Sequence, residues 1–294
     1  MPAFIIVYTS DVHGNETHYN KLYDFAKKAS ADAVIIGGDI APKGIGSVDY
    51  IQTQREFLEK KLPEFARNLK KSLPKCNLFL MMGNDDCAAN MDVLEKHDST
   101  LYHLIHNKRL KLTADFEIVG YGYVPITPFG IKDWEKFDFS NAPERFRQAY
   151  EYRKRTDCQY WGWKTAQQEW VEFTFPKDAE QKDSIQKDLE GILFTANPRK
   201  TIYVMHTPPY ETNLDLVRWK WHIGSMAVKM FIEERQPYLT LHGHIHETVA
   251  VSGEFKHQTG NTLSMSSGNC NTKNDLALVV FDLYNPGNAK RLVI

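Results

Sequence analysis

The chain has 294 residues and a formal charge of −1, with 36 Lys and Arg against 37 Asp and Glu. Apolar content of 42 % and charged content of 25 % are those of an ordinary globular protein with a large core. This balance excludes a global attraction to a membrane surface and argues against a large nucleic acid as partner. The opening run Phe4-Ile5-Ile6-Val7-Tyr8 is too short for a membrane span, and Met1-Pro2-Ala3 supplies no basic leader, so the expected location is cytoplasmic. The cysteines Cys76, Cys87, Cys158 and Cys270 are widely spaced without a CxxC, which reads as free thiols.

Phe4 to Tyr8 is a continuous apolar run, as in a strand covered on both faces, and it stops at Thr9-Ser10-Asp11-Val12-His13. Tyr19, Leu22, Tyr23 and Ala26 then recur at helical spacing. Ala33-Val34-Ile35-Ile36 is the second strand, stopping at Gly37-Gly38-Asp39, and a loop Ala41-Pro42-Lys43-Gly44-Ile45-Gly46 follows. Phe57, Leu58, Leu62, Phe65 and Leu69 predict a helix that Pro63 must kink or restart. Leu78 to Met82 is the third strand and stops at Gly83-Asn84-Asp85-Asp86. This alternation predicts parallel crossovers, so the three stops share one edge of one sheet, where such sheets bind ligands.

Ile118 to Tyr123 reads as a further strand of that sheet. From about Pro125 to Pro176 the character changes to that of an insertion or cap within a single domain, carrying Trp134, Trp161, Trp163, Trp170 and Arg153-Lys154-Arg155. The tryptophans read as a small core of the insert, and the basic run as a solvated helix face. By its position the insert should lie over or beside the strand ends. Leu189, Ile192 and Leu193 fit a helix, and Ile202 to Met205 fit a strand stopping at His206-Thr207-Pro208-Pro209. A helix around Met226, Ala227, Met230 and Phe231 ends before Pro237. Leu239-Thr240-Leu241 leads into His242-Gly243-His244-Ile245-His246, where His242 faces the interior. Short strands around Thr248–Val251, Leu263–Ser266 and Leu276–Phe281, with no helix between them, predict an antiparallel second half.

Five apolar runs thus end in Asp11 and His13, Asp39, Asn84, His206, and His244 and His246. These seven side chains are too many for one tetrahedral zinc site. They suit two divalent ions sharing a carboxylate, and mixed imidazole and carboxylate donors fit Mn, Fe or Zn better than calcium. Read singly, Asp11 could cap the following helix and His206 could be a turn residue.

In these blocks the sequence resembles the calcineurin-like metallophosphoesterases. Their signature D-x-H, G-D, G-N-H-D/E, H and G-H-x-H stands here as Asp11-Val12-His13, Gly38-Asp39, Gly83-Asn84-Asp85-Asp86, His206 and Gly243-His244-Ile245-His246. The resemblance implies an α/β fold, with two packed mixed β-sheets flanked by helices in four layers, α/β/β/α. It implies that Asp11, His13 and His246 hold one ion, that Asn84, His206 and His244 hold the other, and that Asp39 bridges them. It also implies hydrolysis of a phosphomonoester or phosphodiester of a small phosphorylated substrate, with Asp39 and Asp85 at the chemistry and Asn84 also at the substrate. Two ions about 3.5–4 Å apart acidify a shared water and neutralise the phosphoryl oxygens.

One block departs from the family. Asp85 stands where a histidine is usual, and that histidine is expected to protonate the leaving oxygen or stabilise the transition state. A carboxylate there hinders departure, against a general-acid term of roughly 10²–10⁴-fold. Two readings follow: a dinuclear phosphoesterase, which the full ligand set favours, and a catalytically weak metal-binding scaffold, which Asp85 favours.

Overall fold

A computed structural model describes residues 2–43, 48–156, 161–165, 168–172, 183–191, 194, 196–270 and 274–294. The expected loop residues Gly44 to Gly46, the helix positions Ile192 and Leu193, Cys158 and the end of the insert at Pro176 lie outside these residues. Cys76, Cys87 and Cys270 are free thiols.

The first strands are Ile5–Thr9 (β1), Ala33–Gly37 (β2) and Asn77–Met81 (β3), joined by helices Glu16–Ala29 (α1) and Val48–Ser72 (α2). All pair in parallel, and His103–Leu104 (β4) adds to β3. Ala277–Asp282 (β13) pairs antiparallel with β1, and Asn285–Val293 (β14) pairs antiparallel with β13. The sheet order is β14-β13-β1-β2-β3-β4. The second sheet is built from Arg109–Lys111 (β5), Glu117–Tyr121 (β6), Thr201–Met205 (β9), Leu239–His242 (β10), Lys256–Thr259 (β11) and Thr262–Ser266 (β12). Its order is β11-β12-β10-β9-β6-β5.

Side-chain alternation along each strand explains the layering. Ile6, Tyr8, Ile35, Phe79 and Met81 turn inward and meet Ile118, Ile202, Val204, Leu239, Leu241 and Met265 between the sheets. Val7, Val34, Ile36, Leu78 and Leu80 turn outward under Leu22, Leu58, Leu62 and Leu69 of α1 and α2. Val119, Tyr121, Tyr203 and Met205 form the outer face of the second sheet. They are covered by helices Glu144–Thr156 (α4), Ile185–Glu190 (α5) and Met226–Arg235 (α6). A short helix, Met91–Glu95 (α3), follows the third strand. The central strands β1, β2, β3, β9 and β10 are buried on both faces, which is why their runs are apolar without alternation. Among the described residues no helix is long and apolar enough to cross a membrane.

The structure corrects several expectations. Thr248–Ser252 is a helix (α7), not a strand. Val251 N donates to Glu247 O, and Gly253 closes the turn at φ 78° in the left-handed region. Val249 packs against Gly268, so tertiary placement overrides the β-branched composition. The second half is mixed rather than antiparallel throughout. β6, β9, β10 and β12 run parallel, whereas β11 with β12, β13 with β1 and β14, β5 with β6, and the hairpin of Trp161–Lys164 and Glu169–Glu172 pair antiparallel. β6 belongs to the second sheet rather than the first, and α2 passes through Pro63 without a restart.

The described residues of the insert divide between the main cores and a small satellite cluster shared with α2 and the third loop. Trp134 is buried against the α1/α2 side of the first sheet, and its Nε1 donates to Asp86 O at 2.7 Å. Trp163, on the hairpin Trp161–Lys164 (β7) and Glu169–Glu172 (β8), packs against Tyr50, Cys87 and Ile131. Arg153 is no solvated charge, for its guanidinium donates to the carbonyls of Ile223 and Gly224 at 3.0 and 2.6 Å. Within the insert Lys132 is fully buried, with Nζ 2.9 Å from Glu135 and 2.7 Å from Thr127 O. Removing one partner of such a pair leaves a buried uncompensated charge. Lys132→Met should therefore destabilise by about 3–5 kcal/mol in urea unfolding. A Lys132→Met, Glu135→Met double variant should regain most of that loss, and equal instability of the two variants would contradict it.

Candidate metal centre

The strand ends carry their side chains on loops that cross one another. After β1, Asp11 N and His13 N donate to Gly38 O and Asp39 O at 3.0 and 2.8 Å, stitching the first loop to the second. Asp86 accepts from the backbone N–H of Gly83, Ile40 and Ala41 at 2.9 to 3.0 Å, which joins the third loop to the second. His206 N donates to Tyr121 O, and Gly243 N donates to His206 O, which aligns the loops of the second sheet. Asn15, not Asp11, caps α1, accepting from Thr17 N and His18 N. Asp11 is thereby left free to face the other strand ends.

The approach is close enough to demand glycine at two of these crossings. Gly38 sits at φ 102°, and a Cβ on it would lie 2.5 Å from His206 Nδ1. A Cβ on Gly83 would fall on the Asp39 carboxylate. Four non-glycine residues here also adopt the left-handed region: Asp11 (φ 55°), His13 (46°), Asp39 (52°) and His244 (67°). Such residues cost of order 1–3 kcal/mol each and persist where the surroundings over-determine them.

The side chains converge. One ligand atom each from Asp11, His13, Asp39 and His246 lies within 4.8 Å of all the others. His13 Nε2 is 3.3 Å from His246 Nε2 and 3.7 Å from Asp39 Oδ2, and His246 Nε2 is 3.4 Å from Asp11 Oδ1. A second set adjoins it. Asn84 Oδ1 is 2.7 Å from His244 Nδ1 and 3.1 Å from His206 Nε2. His206 Nε2 is 3.5 Å from Asp39 Oδ2, so Asp39 stands between the two sets. His206 Nδ1 faces Gly37 O at 2.8 Å, and the carbonyl can only accept. That holds a proton on Nδ1, so that the neutral ring turns its Nε2 lone pair to the site, a usual device for orienting a metal-ligating imidazole. All seven residues expected from the sequence are thus in one place.

Burial and charge oppose each other here. Burial raises the carboxyl pKa of Asp11 and Asp39, but the facing imidazoles, His246 for Asp11 and His206 for Asp39, outweigh it and hold both well below the usual range. Burial disfavours a charged His206, yet Asp39 and Asp11 raise it to about 10. Burial and the His206 charge lower His244 to about 3. Two buried carboxylates facing imidazole lone pairs call for positive charge, and the donor set of oxygen and nitrogen fits divalent transition ions. His242 takes no part. It is fully buried, with Nδ1 donating to Met205 O and Thr207 O, and burial keeps it neutral with a pKa of about 4.

Asp85 lies at this site with its backbone N–H donating to Asp39 Oδ1 at 2.9 Å and its carboxylate 2.8 Å from Lys43 Nζ. A cleft of about 160 Å³ opens over the cluster, lined among others by Asp39, Lys43, Asn84, Asp85, Phe129 and His244. Phe129 brings the insert to the site, its ring centroid 6.5 Å from that of His244. Neither Lys43 nor Phe129 was singled out from sequence; a loop lysine four residues past the Gly38-Asp39 strand end was the only signal for the first. A larger groove of about 460 Å³ between α1 and α2, lined by Glu16, Tyr19, Lys61 and Phe65 among others, contains none of the candidate ligands.

Comparisons with known proteins agree with this geometry. The family model for calcineurin-like phosphoesterases matches residues 4–248. TT1561 of Thermus thermophilus is 16 % identical, with a TM-score of 0.54 over 99 % of this chain and 98 % of that one. A dimetal phosphatase from Danio rerio is 12 % identical, with a TM-score of 0.54 over 100 % and 99 %. Comparison with curated proteins gives no significant match. At these identities the likeness establishes the fold, and the family model establishes the kinship. The family binds a dinuclear divalent metal centre and acts on small phosphorylated substrates. From the order of its five blocks, their convergence at one sheet edge and the match across residues 4–248, the chain belongs to the calcineurin-like phosphoesterase family.

Proposed function

We propose that the chain is a dinuclear metal-dependent phosphoesterase that hydrolyses a phosphomonoester or phosphodiester. The observation that carries this reading is the buried convergence of Asp11, His13, Asp39 and His246 within 4.8 Å, with Asn84, His206 and His244 beside them. In this reading Asp11, His13 and His246 hold one ion, Asn84, His206 and His244 hold the second, and Asp39 bridges. When bound, divalent ions supply Lewis-acid neutralisation of phosphoryl oxygens and acidify a water. The ions are of the Mn, Fe or Zn class. The burial of His206, Asp39 and Asp11 lowers the local dielectric, which strengthens the charge interactions among them. Asn84 Nδ2 donates to Asp85 Oδ1 at 3.1 Å, which fixes the amide so that its Oδ1 faces the imidazoles. Asn84 would also meet the substrate, and Phe129, which lines the cleft, supports a role for the insert of about residues 125–176 in substrate choice.

The second reading, a metal-binding scaffold of weak activity, draws on Asp85, whose carboxyl pKa burial and Asp39 raise while Lys43 lowers it. Steady-state hydrolysis of an aryl phosphomonoester and an aryl phosphodiester with added Mn²⁺ separates the two. Turnover removed by chelation and restored by Mn²⁺ is expected. Metal binding with no turnover on either ester would favour the scaffold.

Asp39→Asn should abolish turnover while the protein stays folded. A neutral amide cannot replace a carboxylate shared by two sets of ligands. Because ligands that bind only the native state stabilise it, Mn²⁺ should raise the melting temperature of the parent by several degrees and that of Asp39→Asn by far less. Near-normal turnover together with a parent-like Mn²⁺ shift would contradict a bridging Asp39.

A further inference from the structure

We propose that Lys43 is the cation that meets the substrate's phosphoryl and leaving oxygens, and that Asp85 and Phe129 position it. The proposal rests on the phosphoesterase reading and names how the same site recognises its ester.

Asp85 is held on two sides. Its backbone N–H is committed to Asp39 Oδ1 at 2.9 Å, and its Oδ1 accepts from Asn84 Nδ2 at 3.1 Å. The remaining oxygen, Oδ2, meets Lys43 Nζ at 2.8 Å. The ammonium also lies 5.5 Å from the centroid of the Phe129 ring, in cation–π range. The Asp85 side chain is 9 % exposed and the Lys43 side chain 48 %, so the anion is fixed and the cation stands at the open mouth. Lys43 is the one lysine or arginine among the described residues that line this cleft.

An ammonium has three N–H donors. One goes to Asp85, and the others are directed to what enters the cleft. An isolated carboxylate at the third block would repel a phosphate, whereas the Asp85–Lys43 pair is neutral overall and turns its positive end outward. Lys43 neutralises a buried carboxylate, and it does so from the open side, over the ligand cluster, where its ammonium faces the cleft as well as Asp85. The step balances without a further reactant. The oxygen of water forms its bond to phosphorus as the bond from phosphorus to the leaving oxygen breaks. The leaving oxygen keeps that electron pair and accepts a hydrogen bond from Lys43 Nζ. It then takes up a proton from solvent, which in turn receives the proton of the attacking water.

The test compares Lys43→Met, Lys43→Arg and Asp85→Asn with the parent on aryl and alkyl phosphate esters of graded leaving-group pKa. Inorganic phosphate is titrated calorimetrically into each Mn²⁺-loaded protein. In Lys43→Met, phosphate affinity and kcat/KM on alkyl esters should fall roughly 10–100-fold, the size of a charge-assisted hydrogen bond. The loss on aryl esters should be smaller, so the leaving-group slope steepens. Lys43→Arg should keep most of the parent behaviour. Asp85→Asn should raise KM more than it lowers kcat, because the cation is kept but no longer held. A parent-like phosphate affinity and slope in Lys43→Met overturn the proposal, and parent-like kinetics in Asp85→Asn overturn the positioning role. If the parent turns over no ester, the phosphoesterase reading fails instead, and the titration still decides Lys43. Equal affinity in parent and Lys43→Met, or no phosphate binding by either, overturns it.

Discussion

The structure turns on the Asp39 carboxylate. It is 1 % exposed, and its Oδ2 lies 3.7 Å from His13 Nε2 and 3.5 Å from His206 Nε2. Its Oδ1 is satisfied by the backbone of the third loop. Asp11, equally buried, faces His246 and His206 from the first loop. Two anions in a low-dielectric interior need compensation, which the facing imidazoles supply as N–H donors when protonated, and which cations between them would supply when the rings are neutral and turn lone pairs inward. The raised pKa of His206, set by the facing Asp39 and Asp11 carboxylates, is one such compensation.

That electrostatic demand is met by a stiff scaffold. The parallel strands of both sheets place their carboxyl ends at one edge, and hydrogen bonds between loops extend the sheets past the last regular pair. Asp11, His13, Asp39 and His244 sit in left-handed backbone that a solvated turn would relax. Hydrogen bonds from Asp11 N and His13 N to the second loop, and from Ile40 N and Ala41 N to Asp86, tie the first three loops together, and the indole of Trp134 on the Asp86 carbonyl anchors the third. Two residues of the insert thus touch the site, Trp134 at the Asp86 carbonyl and Phe129 in the cleft lining.

Much of this was legible in the sequence. An apolar run buried on both faces looks the same wherever it sits, so strand existence was clear for β1, β2, β3, β9 and β10. The same uniformity hid the sheet to which β6 belongs, because nothing in Ile118 to Tyr123 distinguishes the two. The parallel second sheet was obscured because β10 returns to β12 through α7, whose Thr-Val-Ala-Val composition reads as strand. Ligand-type residues were legible because each follows an abrupt end of an apolar run. Lys43 was not, since a lysine in a Pro/Gly loop has no periodicity, and its partner Asp85 is distant in sequence and adjacent only through the crossing of two loops. Asp85 alone read as a repulsive carboxylate, whereas the fold gives it a counter-charge.

The central claim is that two sets of ligands meet at one shared carboxylate. Anomalous diffraction from crystals loaded with Mn²⁺ tests it most directly. The account predicts two anomalous peaks about 3.5–4 Å apart, both within bonding distance of Asp39, one also bound by Asp11, His13 and His246 and the other by Asn84, His206 and His244. A single peak at full loading, or a second peak that does not touch Asp39, would contradict it.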